Sequence, residues 1–200
     1  MKRPSRDEII RLLDLSPLPD EGGWYRQTYR AETDYSQGRA VSTAIYYFLD
    51  ADPDCFSAIH RLPSDEIWHF YTGDPVRLVI LGTPFQGNAE EESGARSFAA
   101  KNIILGTDLA AGERVQYVVP GGAWFGAYLL PGGEYALMGT TVAPGFEFSD
   151  YEEGSREKLL REFPGSADEI VRLTRVRPLS DNPGCGRIRT PVRCSVPRRS

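Results

Sequence analysis

Apolar and polar residues alternate in short runs along most of the chain, and the period turns helical only towards its two ends. At the start, Ile9, Ile10, Leu12 and Leu13 share one face at helical spacing; Ser5 or Asp7 can cap this helix, and Pro17 and Pro19 stop it. From Glu21-Gly22-Gly23 onward the pattern is that of strands. The expected segments are Trp24 to Arg30, Ser42 to Leu49, Phe56 to Arg61, Glu66 to Thr72, Val76 to Leu81, Lys101 to Leu105, Arg114 to Val119, Trp124 to Leu130 and Tyr135 to Val142. Thr72-Gly73-Asp74-Pro75, Ala111-Gly112, Pro120-Gly121-Gly122 and Pro131-Gly132-Gly133 supply turn geometry between them. Short strands at this spacing predict an all-β sandwich or barrel.

After Tyr151 the helical period returns with Leu159, Leu160 and Phe163, breaks at Pro164-Gly165, and resumes with Ile170, Val171 and Leu173. The chain therefore divides into an N-terminal helix and lead-in over 1–20, a barrel over 21–152, C-terminal helices packed on the barrel over 153–177, and an irregular basic tail over 178–200. The stretch from Gly82 to Ser97 has no period and three consecutive acids, so it reads as an exposed loop.

Composition narrows the function rather than the fold. Two hundred residues with 40% hydrophobic content suit one domain, and 20 Gly, 15 Pro, 10 Tyr and 9 Phe favour strands and turns over a helical bundle. A net charge of −5 offers no positive field for a phosphate backbone, which argues against nucleic acid as a partner. No apolar run suits a secretory signal or a membrane span, and Cys55, Cys185 and Cys194 lack the spacing of a metal or redox site. A cytoplasmic protein acting on a small organic molecule is the expectation.

The candidate chemistry lies around one turn. His60, one of two histidines, ends the strand Phe56 to Arg61, and strand alternation puts it on the Phe56 and Ala58 face. Glu66 follows six residues later and opens a strand containing Trp68, His69 and Phe70. On that strand Glu66, Trp68 and Phe70 share one face, while Ile67, His69 and Tyr71 share the other. Glu66 and His69 therefore cannot both enter a barrel unless a bulge intervenes.

The order His60-Arg61-Leu62, Glu66, Gly73 is similar to the first cupin motif, with Leu62 where a second His is usual. Pro120-Gly121-Gly122-Ala123-Trp124-Phe125 is similar to the second motif, with Phe125 where its His is usual. The blocks Glu21-Gly22-Gly23-Trp24-Tyr25-Arg26, Ser64 to Tyr71, Val118-Val119-Pro120 and Thr141 to Phe146 further resemble the DUF985, or Cupin_5, group of the cupin superfamily. That resemblance implies a cupin jelly-roll β-barrel with short N- and C-terminal helices, and a homodimer. A weaker resemblance, through Val119 to Gly122 and Thr140 to Pro144, is to sugar-nucleotide 3,5-epimerases, where a His at the position of His60 removes a proton beside a ketone. The Tyr that opposes it there has no counterpart around Leu137 and Met138.

These residues favour a metal-independent isomerase, epimerase or cyclase with His60 as general base and Glu66 as its orienting partner. Trp68, His69, Phe70, Gln116, Trp124 and Phe125 are the expected substrate-binding residues, and no cofactor is required. Arg26, Arg30 or Arg61 would suit an anionic substrate, since a guanidinium matches phosphate and carboxylate. Two other readings stay open. In one, His60 and Glu66 hold a divalent transition metal for oxygenase or lyase chemistry. In the other, the barrel binds a small ligand without transforming it. Trp24, Tyr46 and Tyr47 read as core.

Overall fold

The structure, a computed structural model, describes residues 3–36, 38–82 and 100–175. The expected tail over 178–200 and all but the first residue of the expected loop therefore lie outside the described residues. Strands β1 to β13 span Ser16–Pro17, Trp24–Arg30, Asp34–Ser36, Arg39–Ala40, Thr43–Asp50, Ser57–Arg61, Asp65–Gly73, Val76–Leu81, Lys101–Leu105, Gln116–Val119, Trp124–Leu129, Tyr135–Ala143 and Glu152–Glu153. Helices α1, α2 and α3 span Arg6–Leu12, Arg156–Glu162 and Ala167–Arg172. Two antiparallel sheets form a jelly-roll barrel. The first has the order β1-β2-β5-β12-β7-β10, the second β13-β6-β11-β8-β9, and β3 pairs with β4 separately.

The core lies between the sheets. From the first come Tyr47, Leu49, Trp68, Phe70, Val119, Ala136 and Met138; from the second come Val76, Leu78, Ile80, Ile103, Leu105, Phe125, Ala127 and Leu129. Strand β8 reads Val-Arg-Leu-Val-Ile-Leu because it is covered on both sides. Val76, Leu78 and Ile80 face the interior, whereas Val79 and Leu81 lie under Leu159 and Phe163 of the α2 region and Ile170 and Leu173 of the α3 region. Each such side chain taken from water contributes about 1.5–3 kcal/mol.

The first helix covers part of the outer face of the first sheet, where Ile9 and Leu15 meet Phe48, Tyr135 and Trp24. A reciprocal cap starts it: the Glu8 amide donates to Ser5 Oγ at 3.3 Å, and the Ser5 amide donates to Glu8 Oε2 at 2.8 Å. Arg6 Nε then donates to the buried Asp50 carboxylate at 2.6 Å, and the Tyr135 hydroxyl donates to the Pro4 carbonyl at 2.9 Å. Among the described residues no helix is long and apolar enough to cross a membrane.

Strand β6 departs from simple alternation. His60 stands opposite Phe125 and Ser57 opposite Ala127, so two residues of β6, Ala58 and Ile59, face the single Gly126 of β11. The bulge turns Ala58 and Ile59 together towards the α2 and α3 layer and leaves Ser57 and His60 on the interior side. The expected common face of Phe56, Ala58 and His60 is thus corrected: His60 reaches the barrel, but in the company of Ser57. Gly126 permits this because a Cβ there would stand 2.7 Å from the Ser57 carbonyl oxygen.

Candidate functional site

His60 is 2% exposed, held against two rings. Phe125, its cross-strand neighbour on β11, lies at 4.2 Å between centroids, and Tyr151 stacks on it at 5.0 Å. Tyr151 is carried there by β13, whose Glu153 pairs with His60 in register. The imidazole Nδ1–H donates to the Ala58 carbonyl at 2.8 Å, a bond made possible by the bulge. That bond fixes the tautomer and leaves Nε2 as the acceptor nitrogen, with no hydrogen-bond partner among the described residues.

On the interior side of the first sheet stands Glu66, the second residue of β7, 7% exposed between Val119 and Val142 on the adjoining strands. Burial pushes its carboxyl up to about 8; the negative charge of Glu21 adds to the rise, and the Thr140 hydroxyl works against it. Its Oε2 is buried without a partner among the described residues. At neutral pH Glu66 is therefore mainly an uncharged acid. Glu66 and His60 are not hydrogen-bonded to each other, so the expectation that Glu66 orients the imidazole is corrected: the Ala58 carbonyl does so.

Glu21 comes from the loop ahead of β2. Its Oε1 accepts from the Ser57 hydroxyl at 2.8 Å, and its carbonyl accepts from the Ala58 amide at 2.9 Å. The next residue, Gly22, has φ +96° and offers its carbonyl to the Tyr47 hydroxyl at 2.9 Å. A side chain at Gly22 would run into the Phe56 carbonyl oxygen and the Arg175 guanidinium. Arg175 Nη1 and Nη2 donate to the carbonyls of Asp20, Glu21, Asp54 and Phe56, tying this loop to β6. Burial first, and Glu21's charge second, hold the Tyr47 phenol well above its usual range, and the same two causes raise Tyr151.

A continuous series of ring contacts links the two walls. Tyr47 meets Trp68 at 5.6 Å, Trp68 meets Phe125 at 6.3 Å, both edge to face, and Phe125 meets His60. The expected wall residues Trp68, Phe70 and Phe125 are thus interior. The other three are not. His69 and Gln116 face outward from the first sheet, where Gln116 Nε2–H donates to His69 Nδ1 at 3.2 Å and the ring's other nitrogen lies 3.3 Å from Thr141 Oγ1. Trp124 is outward on β11, under the Arg61 guanidinium at 4.5 Å. Alternation over Glu66 to Phe70 of β7, and along β10 and β11, enforces these positions.

The arginines considered for an anion are otherwise engaged: Arg26 with Asp14, Arg30 with Glu147 at 2.5 Å, and Arg61 with Glu152 at 2.6 Å. A surface depression of about 420 Å³, lined by Arg30, Ser36, Gly38, Arg39 and Glu147, contains neither His60 nor Glu66, and its Arg39 forms a bidentate pair with Asp150.

A metal held in the manner of the two sequence motifs would need further donors where the chain has Leu62, which is buried, and Phe125, whose ring stacks on the imidazole. Among the described residues no group of three or more His, Cys, Asp or Glu side chains is placed to hold a metal ion. The donor set does not fit such a centre. Glu21, Ser57, Thr140 and Tyr151 were not identified from sequence as part of this group, and Tyr47 was read as core alone. The only prior signal was the acid directly before Gly22-Gly23.

Comparison with known proteins agrees with the fold. The family model described as Cupin superfamily (DUF985) matches residues 7–153. Uncharacterized protein YML079W of Saccharomyces cerevisiae is 37% identical over 172 residues, covering 76% of this chain and 78% of that protein. The crystal structure of protein SO0799 from Shewanella oneidensis superposes with a TM-score of 0.74 at 32% identity, covering 88% of this chain and 100% of that one. A hypothetical protein from Leishmania major gives 0.72 at 30% identity, covering 86% and 99%.

Proposed function

Given that this chain belongs to the DUF985 family of the cupin superfamily, we propose that its barrel interior moves a proton on a small organic molecule, as a metal-independent isomerase, epimerase or cyclase. The observation that carries the reading is the presence of two unlike titratable groups on the interior sides of the two sheets. On one wall stands an imidazole with Nδ1 committed to a carbonyl and Nε2 uncommitted; on the other stands a carboxyl pushed up to about 8. Two titratable groups in such different surroundings suit the two halves of a proton transfer.

In this mechanism His60 Nε2 accepts a proton from the carbon beside a carbonyl. The Ala58 carbonyl stabilises the imidazolium that forms, through the Nδ1–H bond. Glu66 supplies a proton, or a hydrogen bond, to the oxygen that gains charge, and its desolvated position strengthens that interaction. Tyr47, Trp68 and Phe125 form apolar walls that keep bulk water from the intermediate.

The test is solvent deuterium incorporation, followed by proton NMR, into ketones and lactones incubated with the protein in heavy water. The wild-type protein is expected to exchange the proton beside the carbonyl of at least one of them. His60→Ala is expected to lower that rate by about 10²–10⁴-fold with an unchanged circular dichroism spectrum. Equal exchange by His60→Ala would remove the proposal.

A further inference from the structure

Four side-chain polar atoms among the described residues are buried with no protein partner: Glu66 Oε2, Trp68 Nε1, Tyr151 Oη and Arg77 Nε. Arg77 lies between Val76 and Leu78, which face the interior, so it belongs to the outer face of β8. Of the other three, Tyr151 stacks on His60, Trp68 meets the Phe125 ring that packs against His60, and Glu66 lies two residues before Trp68 on the same interior face of β7. Interiors leave few polar groups unpaired, because each costs about 1–3 kcal/mol, so three along one connected set of interior side chains call for a complement that the protein itself does not supply.

Their chemistry specifies that complement. An indole N–H only donates. Tyr151, raised by burial, keeps its hydrogen, and Glu66 carries one at neutral pH. The indole and the phenol therefore call for acceptor oxygens, and a protonated carboxyl can donate to such an oxygen or accept from a hydroxyl. Charge narrows the choice further, since the Glu21 carboxylate sits beside Ser57 and its field reaches both Glu66 and Tyr151. The cations nearby are otherwise placed. Arg175 is spread over four carbonyls, Arg61 pairs with Glu152, and Lys101 lies over Tyr117, where β9 and β10 border the interior. An anion would enter a site that already holds a negative charge and, among the described residues, offers no free guanidinium.

We infer that the interior receives an uncharged molecule bearing carbonyl or hydroxyl oxygens, held by hydrogens from Trp68 and Tyr151 and by the Glu66 carboxyl, and discriminates against phosphates and carboxylates. This rests on the location of the site proposed above and not on its reaction.

The test is a titration at pH 7 of ¹⁵N-labelled full-length protein, read at the Trp68 indole N–H resonance. Trp68→Phe assigns that resonance, and contacts from the indole hydrogen to the Tyr47 and Phe125 rings assign it independently should the variant fold poorly. The probes are two matched sets: cyclohexanone, cyclohexanecarboxylate and cyclohexylamine; and D-glucose, D-glucuronate and D-glucosamine. The neutral member of at least one set is expected to shift the indole resonance with an affinity about tenfold or more above its charged partners. A stronger shift by the carboxylates or amines, or no shift by any of the six, would overturn the inference. Binding is read here without turnover, so an inert protein that prefers the neutral probes would remove the proposed reaction and leave this assignment standing.

Discussion

The two histidines of this chain lie nine residues apart on consecutive strands, yet they occupy opposite chemical worlds. His60 points between the sheets, pressed by Phe125 and Tyr151, with one ring nitrogen bonded to backbone and the other left over. His69 lies on the outer face of the first sheet, partly exposed, with both nitrogens engaged by Gln116 and Thr141. Burial lowers the His69 pKa, favouring the neutral ring that those two hydrogen bonds fit. The same residue type thus keeps one ring nitrogen without a partner among the described residues at one position and has both engaged at the other. Strand alternation, with one bulge, decides which is which.

That contrast can be broken most severely at Phe125. Replacing it with Ala removes a fully buried ring that supports both His60 and Trp68, and is expected to cost about 3–5 kcal/mol in urea unfolding. A cost below about 1 kcal/mol would mean that the imidazole is not held by this packing.

The contrast sharpens at Glu66, which has no counterpart beside His69. Its folded-state pKa of about 8 lies above the ordinary 4.5, so between those values the folded protein binds more protons than the unfolded chain. The associated stability is fully present below about pH 4.5 and is lost as pH rises through about 8. Glu66→Gln does not titrate there. The variant should therefore lack a decline on the order of 4 kcal/mol that the wild-type protein shows between pH 5 and pH 9. Parallel stability curves for the two proteins would contradict the buried, protonated acid.

The smallest effect is expected at His69 itself. His69→Ala breaks two partly exposed hydrogen bonds and should cost about 1 kcal/mol or less, with deuterium incorporation within about twofold of wild type. A loss of exchange comparable with that of His60→Ala would reverse the assignment of the two rings.

Much of the architecture was legible in the chain. Strands β2, β8 and β9 begin and end where hydrophobic alternation puts them, and Pro164-Gly165 separates the last two helices as expected. The pleat also carried the correct prediction that Glu66 and His69 diverge. It failed at β6, because a bulge depends on which residue of a distant strand lies opposite, here Gly126, and local periodicity holds no record of that. Trp124 and Gln116 were assigned to the pocket by their company in sequence, although alternation places them outside it. Glu21 and Tyr151 escaped for another reason. Both lie outside the main strand runs and reach the site only through tertiary pairing, Glu21 by way of Ser57 and Tyr151 by way of the short β13.

The guanidinium of Arg175 gathers carbonyls from two segments more than a hundred residues upstream, and one of those segments carries the carboxylate at position 21. Such a long-range clasp can close only after nearly all of the described chain has been made and the last helix has docked. The electrostatic character of the barrel interior is in this sense a late acquisition: a nascent or clipped chain lacking that arginine could still pair its sheets, but would hold its first acidic loop by fewer ties.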